Sequence, residues 1–182
     1  IDLDKTTKHY IEKRLDENTK YQDIAADERY KLITSRMLRS PHSGLPNFRF
    51  FNEHKKLDIK FTPGSKYSYS GEGINLLQFI IEEITKQRVG EMIQERIFKP
   101  SGMTRTSMKW ESRFDNDDAI GYDEAEKPLG HERRENPRAA GSMDTTIFDY
   151  ARFISAVMQG KGLQPRFKNE MLKQQIQIFS KY

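Results

Sequence analysis

Apolar residues recur along this chain in blocks at helical spacing, separated by polar stretches rich in turn formers. The clearest block is Ile74, Leu77, Ile80, Ile81 and Ile84, whose three- and four-residue intervals share one face and predict a long helix. Tyr10, Ile11 and Leu15 predict an earlier helix after a short extended entry, and residues 28–38 predict another with Leu32, Ile33, Met37 and Leu38 buried. The polar, acidic stretch 16–27 between them predicts a surface loop. Ser40-Pro41-His42-Ser43-Gly44-Leu45-Pro46-Asn47 then stops the helix with two prolines and a glycine, and an irregular connection through Phe48, Phe50 and Phe51 follows.

In Thr62-Pro63-Gly64-Ser65, proline presets its own φ and glycine supplies the positive φ of a type II turn. A short helix is expected from Val89 to Phe98, closed by Pro100 and Gly102. Residues 104–138 are polar with scattered aromatics and little periodicity, which predicts a long surface excursion with room for short strands. Thr146-Ile147-Phe148-Asp149 fits a capping box, and Ile147, Tyr150, Ala151, Ile154, Val157 and Met158 form the apolar face behind it. Gly160 and Gly162 end that helix, and a last one starts near Pro165.

Composition narrows the function classes. The chain has 182 residues, 35% hydrophobic and 32% charged, so core-forming material is scarce. That suits a piece whose remaining core lies elsewhere. The start at Ile1 resembles neither an initiating methionine nor a signal peptide, and Ile176, Ile178, Phe179 and Tyr182 carry an apolar stretch to the last residue, so both ends read as cut. Residues 1–182 are therefore expected to be a single piece of a larger domain. Its 31 basic and 27 acidic residues are interspersed without a basic stripe, which argues against nucleic acid as a partner. No apolar run reaches the length of a membrane span. The absence of cysteine removes disulfides, thiol nucleophiles and thiolate metal sites. His9, His42, His54 and His131 lie far apart in sequence, so no metal site is expected. Phosphate-binding glycine loops and the Gly-x-Ser-x-Gly elbow do not occur.

The stretch that carries chemistry is Phe61-Thr62-Pro63-Gly64-Ser65-Lys66-Tyr67-Ser68-Tyr69-Ser70-Gly71-Glu72-Gly73. Tyr69, between small residues at the mouth of a predicted helix, can present its phenol to a cleft instead of a core. This stretch resembles the second motif region, Pro-Gly-x-x-Tyr-Ser-Asn, of the serine β-lactamase and penicillin-binding-protein superfamily, which includes class C β-lactamases, D,D-peptidases and related esterases. Further resemblances follow in family order. Ile1-Asp2-Leu3-Asp4-Lys5 is similar to the segment after the first catalytic helix, and Met37-Leu38-Arg39-Ser40-Pro41-His42-Ser43-Gly44-Leu45-Pro46 to the Leu-Leu-x-His-Thr-Ser-Gly-Leu-Pro turn. Ile97-Phe98-Lys99-Pro100-Ser101-Gly102-Met103 resembles a Pro-Leu-Gly-Met turn. Ala139-Ala140-Gly141-Ser142-Met143-Asp144-Thr145-Thr146, leading to Asp149 and Phe153, resembles the Ala-Gly-Gly-x-x-Ser-Thr-x-x-Asp-x-x-x-Phe segment.

The resemblance implies a mainly α chain: the helical region of an α+β β-lactamase/transpeptidase-like fold, without most of its antiparallel sheet. It implies a serine hydrolase working by acyl transfer on an amide or ester, with β-lactam and cell-wall peptide both open as substrates and no cofactor. Tyr69 becomes the candidate for proton transfer, and Ser70, Gly71 and Glu72 the candidate substrate contacts. A phenol, with an ordinary pKa near 10, serves as a base at neutral pH only where cations favour the phenolate.

The departures from the pattern are specific. No serine in the chain has lysine three residues later, so the Ser-x-x-Lys nucleophile motif is expected upstream of Ile1 and the Lys-Thr-Gly or His-x-Gly motif downstream of Tyr182. The chain alone is then expected to be inactive. His42-Ser43-Gly44 matches His-x-Gly only in letters, since it precedes the tyrosine. Gly71 replaces the family's asparagine and its side-chain amide. Glu72 suits either a cleft lining or a solvated helix-start carboxylate, and Trp110 and Tyr122 either a substrate wall or simple packing. Family members imply the cell envelope, periplasm or exterior as location. Self-association through an exposed sheet-facing surface is a further expectation, and the alternative class is a non-catalytic helical binding module that keeps the scaffold only.

Overall fold

The structure, a computed structural model, describes residues 1–178, apart from the side chains of residues 12–14 and 16. Phe179 and Tyr182 of the C-terminal apolar stretch lie outside the described residues. The chain divides into two compact units, one of Ile1–Arg88 with the stretch from Gln164 onward, the other of Val89–Leu163. Extended pairing among the described residues is limited to the isolated bridges Thr6–Thr34, Ser107–Asp144 and Tyr122–Pro128. The chain is thus mainly helical.

In the first unit, α1 (Thr7–Glu17), α2 (Gln22–Ala25), α3 (Ser35–Arg39) and α4 (Gly71–Thr85) enclose one core. Leu76 and Ile80 of α4 meet Ile11 and Leu15 of α1, Leu38 of α3, and Leu45, Leu57 and Ile59 from the intervening loops. Lys86, in the left-handed conformation, ends α4. α7 (Pro165–Leu172) opens with proline in its first turn, where the missing amide costs no helix bond. It is tied to α3 through Arg36, which holds Asp4 bidentately (2.6 and 2.9 Å) and also reaches Glu170 and Gln175. These partners hold the Asp4 and Glu170 carboxyls below their ordinary values, chiefly through the hydrogen bonds from Arg36.

Two sequence expectations change here. The stretch 16–27 is not wholly a surface loop, because Tyr21, directly before α2, and Ile24, on its single turn, enter the core. Two apolar residues three apart in a polar stretch are too short a signal to show periodicity. Leu32 is 51% exposed instead of buried. Residues Glu28–Leu32 wind as a tight 3-10 turn and Ile33 is extended, which shifts the helical phase and sends Ile33 inward in place of Leu32.

In the second unit, α5 (Val89–Ile93) runs into a wider π turn, Gln94–Phe98. Phe98, Met103 and Met108 form a small core with Ile93, Ile97 and Phe153. Residues 104–138 hold one 3-10 turn, Ser112–Phe114, and a tight reversal closed by Leu129 N–H to the Gly121 carbonyl (2.7 Å). α6 (Ile147–Gln159) begins as its capping box predicts: the Thr146 hydroxyl accepts the Asp149 amide at 3.3 Å. Phe153 points into the small core, whereas Ile147, Tyr150, Ile154 and Met158 of the apolar face lie open to solvent.

Asp149 joins α6 to the start of the excursion. Its carboxylate is 1% exposed and accepts from the Arg105 amide (2.7 Å), the Thr106 hydroxyl (2.9 Å) and Arg152 (2.7 Å). Burial pushes this carboxyl up, but the hydrogen bonds and the Arg152 charge outweigh it and hold the group below the ordinary aspartate value. A carboxyl depressed in the folded state contributes stability above its unfolded value and loses it as pH falls through the folded one. Chemical denaturation is therefore expected to show the second unit weakening below about pH 4, and Asp149→Asn to reduce that dependence along with part of the neutral-pH stability.

Candidate active site

The approach to Tyr69 is built by a loop and a helix entry that complete one another. Residues 60–68 run beside residues 41–44, joined by Lys60 N–H to Gly44 O (2.8 Å), Gly64 N–H to His42 O (2.8 Å) and Ser68 N–H to Pro41 O (2.9 Å). The turn between them has the predicted form, with Gly64 at φ +87° and Ser65 N–H on Thr62 O at 3.1 Å. Gly44, at φ +84°, admits no side chain, since a Cβ there would lie 2.5 Å from the Phe61 carbonyl oxygen.

A helix start leaves several amides without intrahelical acceptors. In α4 three of them are satisfied from side chains and loop. The Ser70 hydroxyl accepts from Gly73 N–H (2.8 Å) while donating to the Pro46 carbonyl (2.9 Å). Asn47 takes the other two: its side-chain oxygen accepts from Gly71 N–H (3.1 Å) and its backbone carbonyl from Glu72 N–H (2.9 Å). The Glu72 carboxylate, 5% exposed, returns the contact by receiving Arg49 through Nε, Nη2 (both 3.1 Å) and the backbone amide (3.2 Å). Arg49 in turn donates to the Lys20 carbonyl (2.6 Å) and stands 5.8 Å over the Tyr21 ring. Burial, reinforced by the Glu72 charge, pushes the Tyr21 phenol well above its ordinary range, so Tyr21 is a neutral core residue.

Tyr69 lies between two anchored neighbours, Ser68 and Ser70, yet is itself 56% exposed. Its phenol projects from a backbone fixed on both sides, and no hydrogen-bond partner meets it among the described residues. Ser70, Gly71 and Glu72, the candidate substrate contacts, all turn inward and support the segment in this structure. Glu72 is neither solvated nor open to a cleft, because Arg49 covers it. At position 71 a Cβ would lie 3.0 Å from the Asn47 carbonyl oxygen and 3.1 Å from both its Oδ1 and Phe48 Cε1. The asparagine of the family pattern would thus need Asn47 and Phe48 to give by a few tenths of an ångström. His42 and Ser43 are buried, with His42 Nδ1 against the Ser40 carbonyl, in keeping with turn chemistry.

Sequence reasoning missed Asn47 and Arg49. Each lies more than twenty residues from its partner, so no local spacing marks the pairing; the only hint was a polar residue directly after the Ser-Gly-Leu-Pro turn. In the second unit, Trp110 packs against Phe114 and His131, and Tyr122 is exposed on the reversal near residue 121. Replacing Arg49 by Met would leave Glu72 buried without its cation, and denaturant titration should show a loss of about 3–5 kcal/mol. Ser70→Ala removes one cap and should cost about 1 kcal/mol.

Comparison with known proteins shows what this arrangement belongs to. The family model described as Beta-lactamase matches residues 1–177. A D-aminopeptidase of Gluconobacter oxydans is 34% identical over 65 residues, which is 36% of this chain and 12% of that protein. Among solved structures, the D-amino acid amidase of Ochrobactrum anthropi SV3 superposes with a TM-score of 0.71 at 23% identity, covering 93% of this chain and 51% of that one. A class C β-lactamase superposes with a TM-score of 0.68 at 18% identity, covering 92% and 46%. The chain spans about half the length of these solved structures and carries the helical part of their fold. With a family model matched over nearly its full length, the chain belongs to the β-lactamase family.

Proposed function

We propose that this chain is the helical portion of a serine hydrolase that works by acyl transfer on an amide or ester, with Tyr69 in the proton path. The observation that carries the reading is the exposed Tyr69 phenol, held on an anchored backbone within the stretch whose sequence resembles the family's Tyr-Ser-Asn motif. A phenol placed there can take the proton from an attacking serine and pass it to the leaving group. The names of a D-aminopeptidase and a D-amino acid amidase among similar proteins favour an amide beside a D-amino acid. Gly71, by lacking the asparagine amide, favours a peptidase or esterase over a β-lactamase. The cell envelope or exterior is the location that suits a cell-wall peptide.

The nucleophile pair Ser-x-x-Lys does not occur in the 182 residues, so the isolated chain forms no acyl-enzyme. That same observation favours a second reading, a non-catalytic binding module that keeps the scaffold alone. The complete native reading frame and the 182-residue chain, each treated with a fluorescent penicillin and a fluorophosphonate, separate the two by intact mass. A one-to-one adduct on the long form only, slowed about 10²–10⁴-fold by Tyr69→Phe, supports the hydrolase. No adduct on the long form sinks it in favour of the binding module, and an adduct on the short chain places the nucleophile elsewhere. The open apolar face of α6 supports self-association of the isolated chain. Sedimentation should then show mass rising with concentration, and a constant monomer mass would exclude it.

A further inference from the structure

Arg29, Arg36 and Arg49 of the first unit bind carboxylates in the same way. Arg29 holds Asp27 through Nε and Nη2 at 3.0 and 2.6 Å, Arg36 holds Asp4 at 2.6 and 2.9 Å, and Arg49 holds Glu72 at 3.1 Å from both nitrogens. Each presents the guanidinium edge on which two N–H groups run parallel, a spacing that matches the two oxygens of a carboxylate.

Arg39 buries the same edge without a partner. It is the last residue of α3, and its Nε and Nη2 are shielded from solvent and meet no hydrogen-bond partner among the described residues. Ser35, one turn earlier on α3, repeats the condition: it is 0% exposed, and its hydroxyl has no partner among them either. Residues four apart share a helix face, and a helical side chain leans over the turn before its own Cα, so Arg39 reaches back over Ser35. One face of α3 thus gathers three buried donors. The sequence marks this as particular to the chain: counted back from Ser43-Gly44-Leu45-Pro46, Arg39 stands at the second leucine of the family's Leu-Leu-x-His-Thr-Ser-Gly-Leu-Pro turn. A leucine there needs only apolar neighbours. A guanidinium keeps its charge, and burying its donors unpaired opposes folding.

We propose that Arg39 and Ser35 form a carboxylate-binding site, in which the Nε and Nη2 edge of Arg39 takes the two oxygens and the Ser35 hydroxyl donates to one of them. One guanidinium balances the single charge of a carboxylate, and its flat edge matches the flat anion as it does in the three pairs above. Arg39 as a whole residue is only partly buried, which gives a small anion a path to the edge. The carboxylate comes either from a free ligand or from an acidic side chain of the longer reading frame, and the chemistry of capture is the same for both.

Acetate, exchanged for chloride at constant ionic strength, is the probe. In the 182-residue chain the nuclear magnetic resonance signal of the Arg39 Nε–H, identified by its loss in Arg39→Leu, should move saturably with acetate. Urea titration should show the folding equilibrium constant rising about tenfold once acetate reaches about ten times the dissociation constant so measured. The rise should be absent in Arg39→Leu, which carries the family's residue and so keeps the fold, and smaller in Ser35→Ala. The complete native reading frame then identifies the source. A signal that still moves with acetate there means a free carboxylate; one already at the bound position, with Arg39→Leu unfolding at lower urea, means an aspartate or glutamate of the protein itself. A signal that acetate leaves in place in the 182-residue chain, or a rise that persists in Arg39→Leu, would overturn the site, and an undiminished rise in Ser35→Ala would remove Ser35 from it.

Discussion

The first turn of α4 is the point on which the exposed tyrosine depends. A helix start presents amides that need acceptors, and here the acceptors come from a loop twenty-odd residues upstream. Asn47 and Ser70 between them satisfy Gly71, Glu72 and Gly73, and Pro46 accepts the Ser70 hydroxyl in return. The arrangement is reciprocal, since Glu72 at the helix start holds Arg49 beyond the loop. Loop and helix entry therefore order one another. Tyr69, immediately before the cap, inherits a fixed backbone without surrendering its phenol to the interior.

This arrangement also explains the small residues around Tyr69. Gly44 lies against the Phe61 carbonyl, and Gly71 against Asn47 and Phe48, so the close approach of loop and helix leaves little room for side chains. Ser70, Gly71 and Glu72 do the holding and Tyr69 does the projecting, a division of labour within four consecutive residues. In the other unit, α6 is secured through Thr146 and Asp149 at its start, while most of its apolar face beyond Phe153 lies uncovered.

Much of this was legible in the sequence because it was local. The turn at Pro63-Gly64, the face of α4, the capping box at Thr146 and the glycine stop at Gly160 each rest on residues within a turn or two of one another. The family motifs were legible for the same reason. Expectations changed where a short element shifted phase, as at Leu32 and Ile33, or where two buried residues sat in a polar stretch, as at Tyr21 and Ile24. The inward roles of Ser70 and Glu72 could not be read at all from spacing. They depend on Pro46, Asn47 and Arg49, which only the folded chain brings to the helix entry.

Amide hydrogen exchange at Gly71, Glu72 and Gly73 tests the central arrangement most directly, because these amides exchange freely in an uncapped helix start. A loop clamped onto α4 gives them protection comparable to the middle of the helix, near Leu76 and Ile80. Exchange at the rate of a frayed first turn would show that the loop does not hold the helix entry, and that the backbone of Tyr69 is not fixed by it.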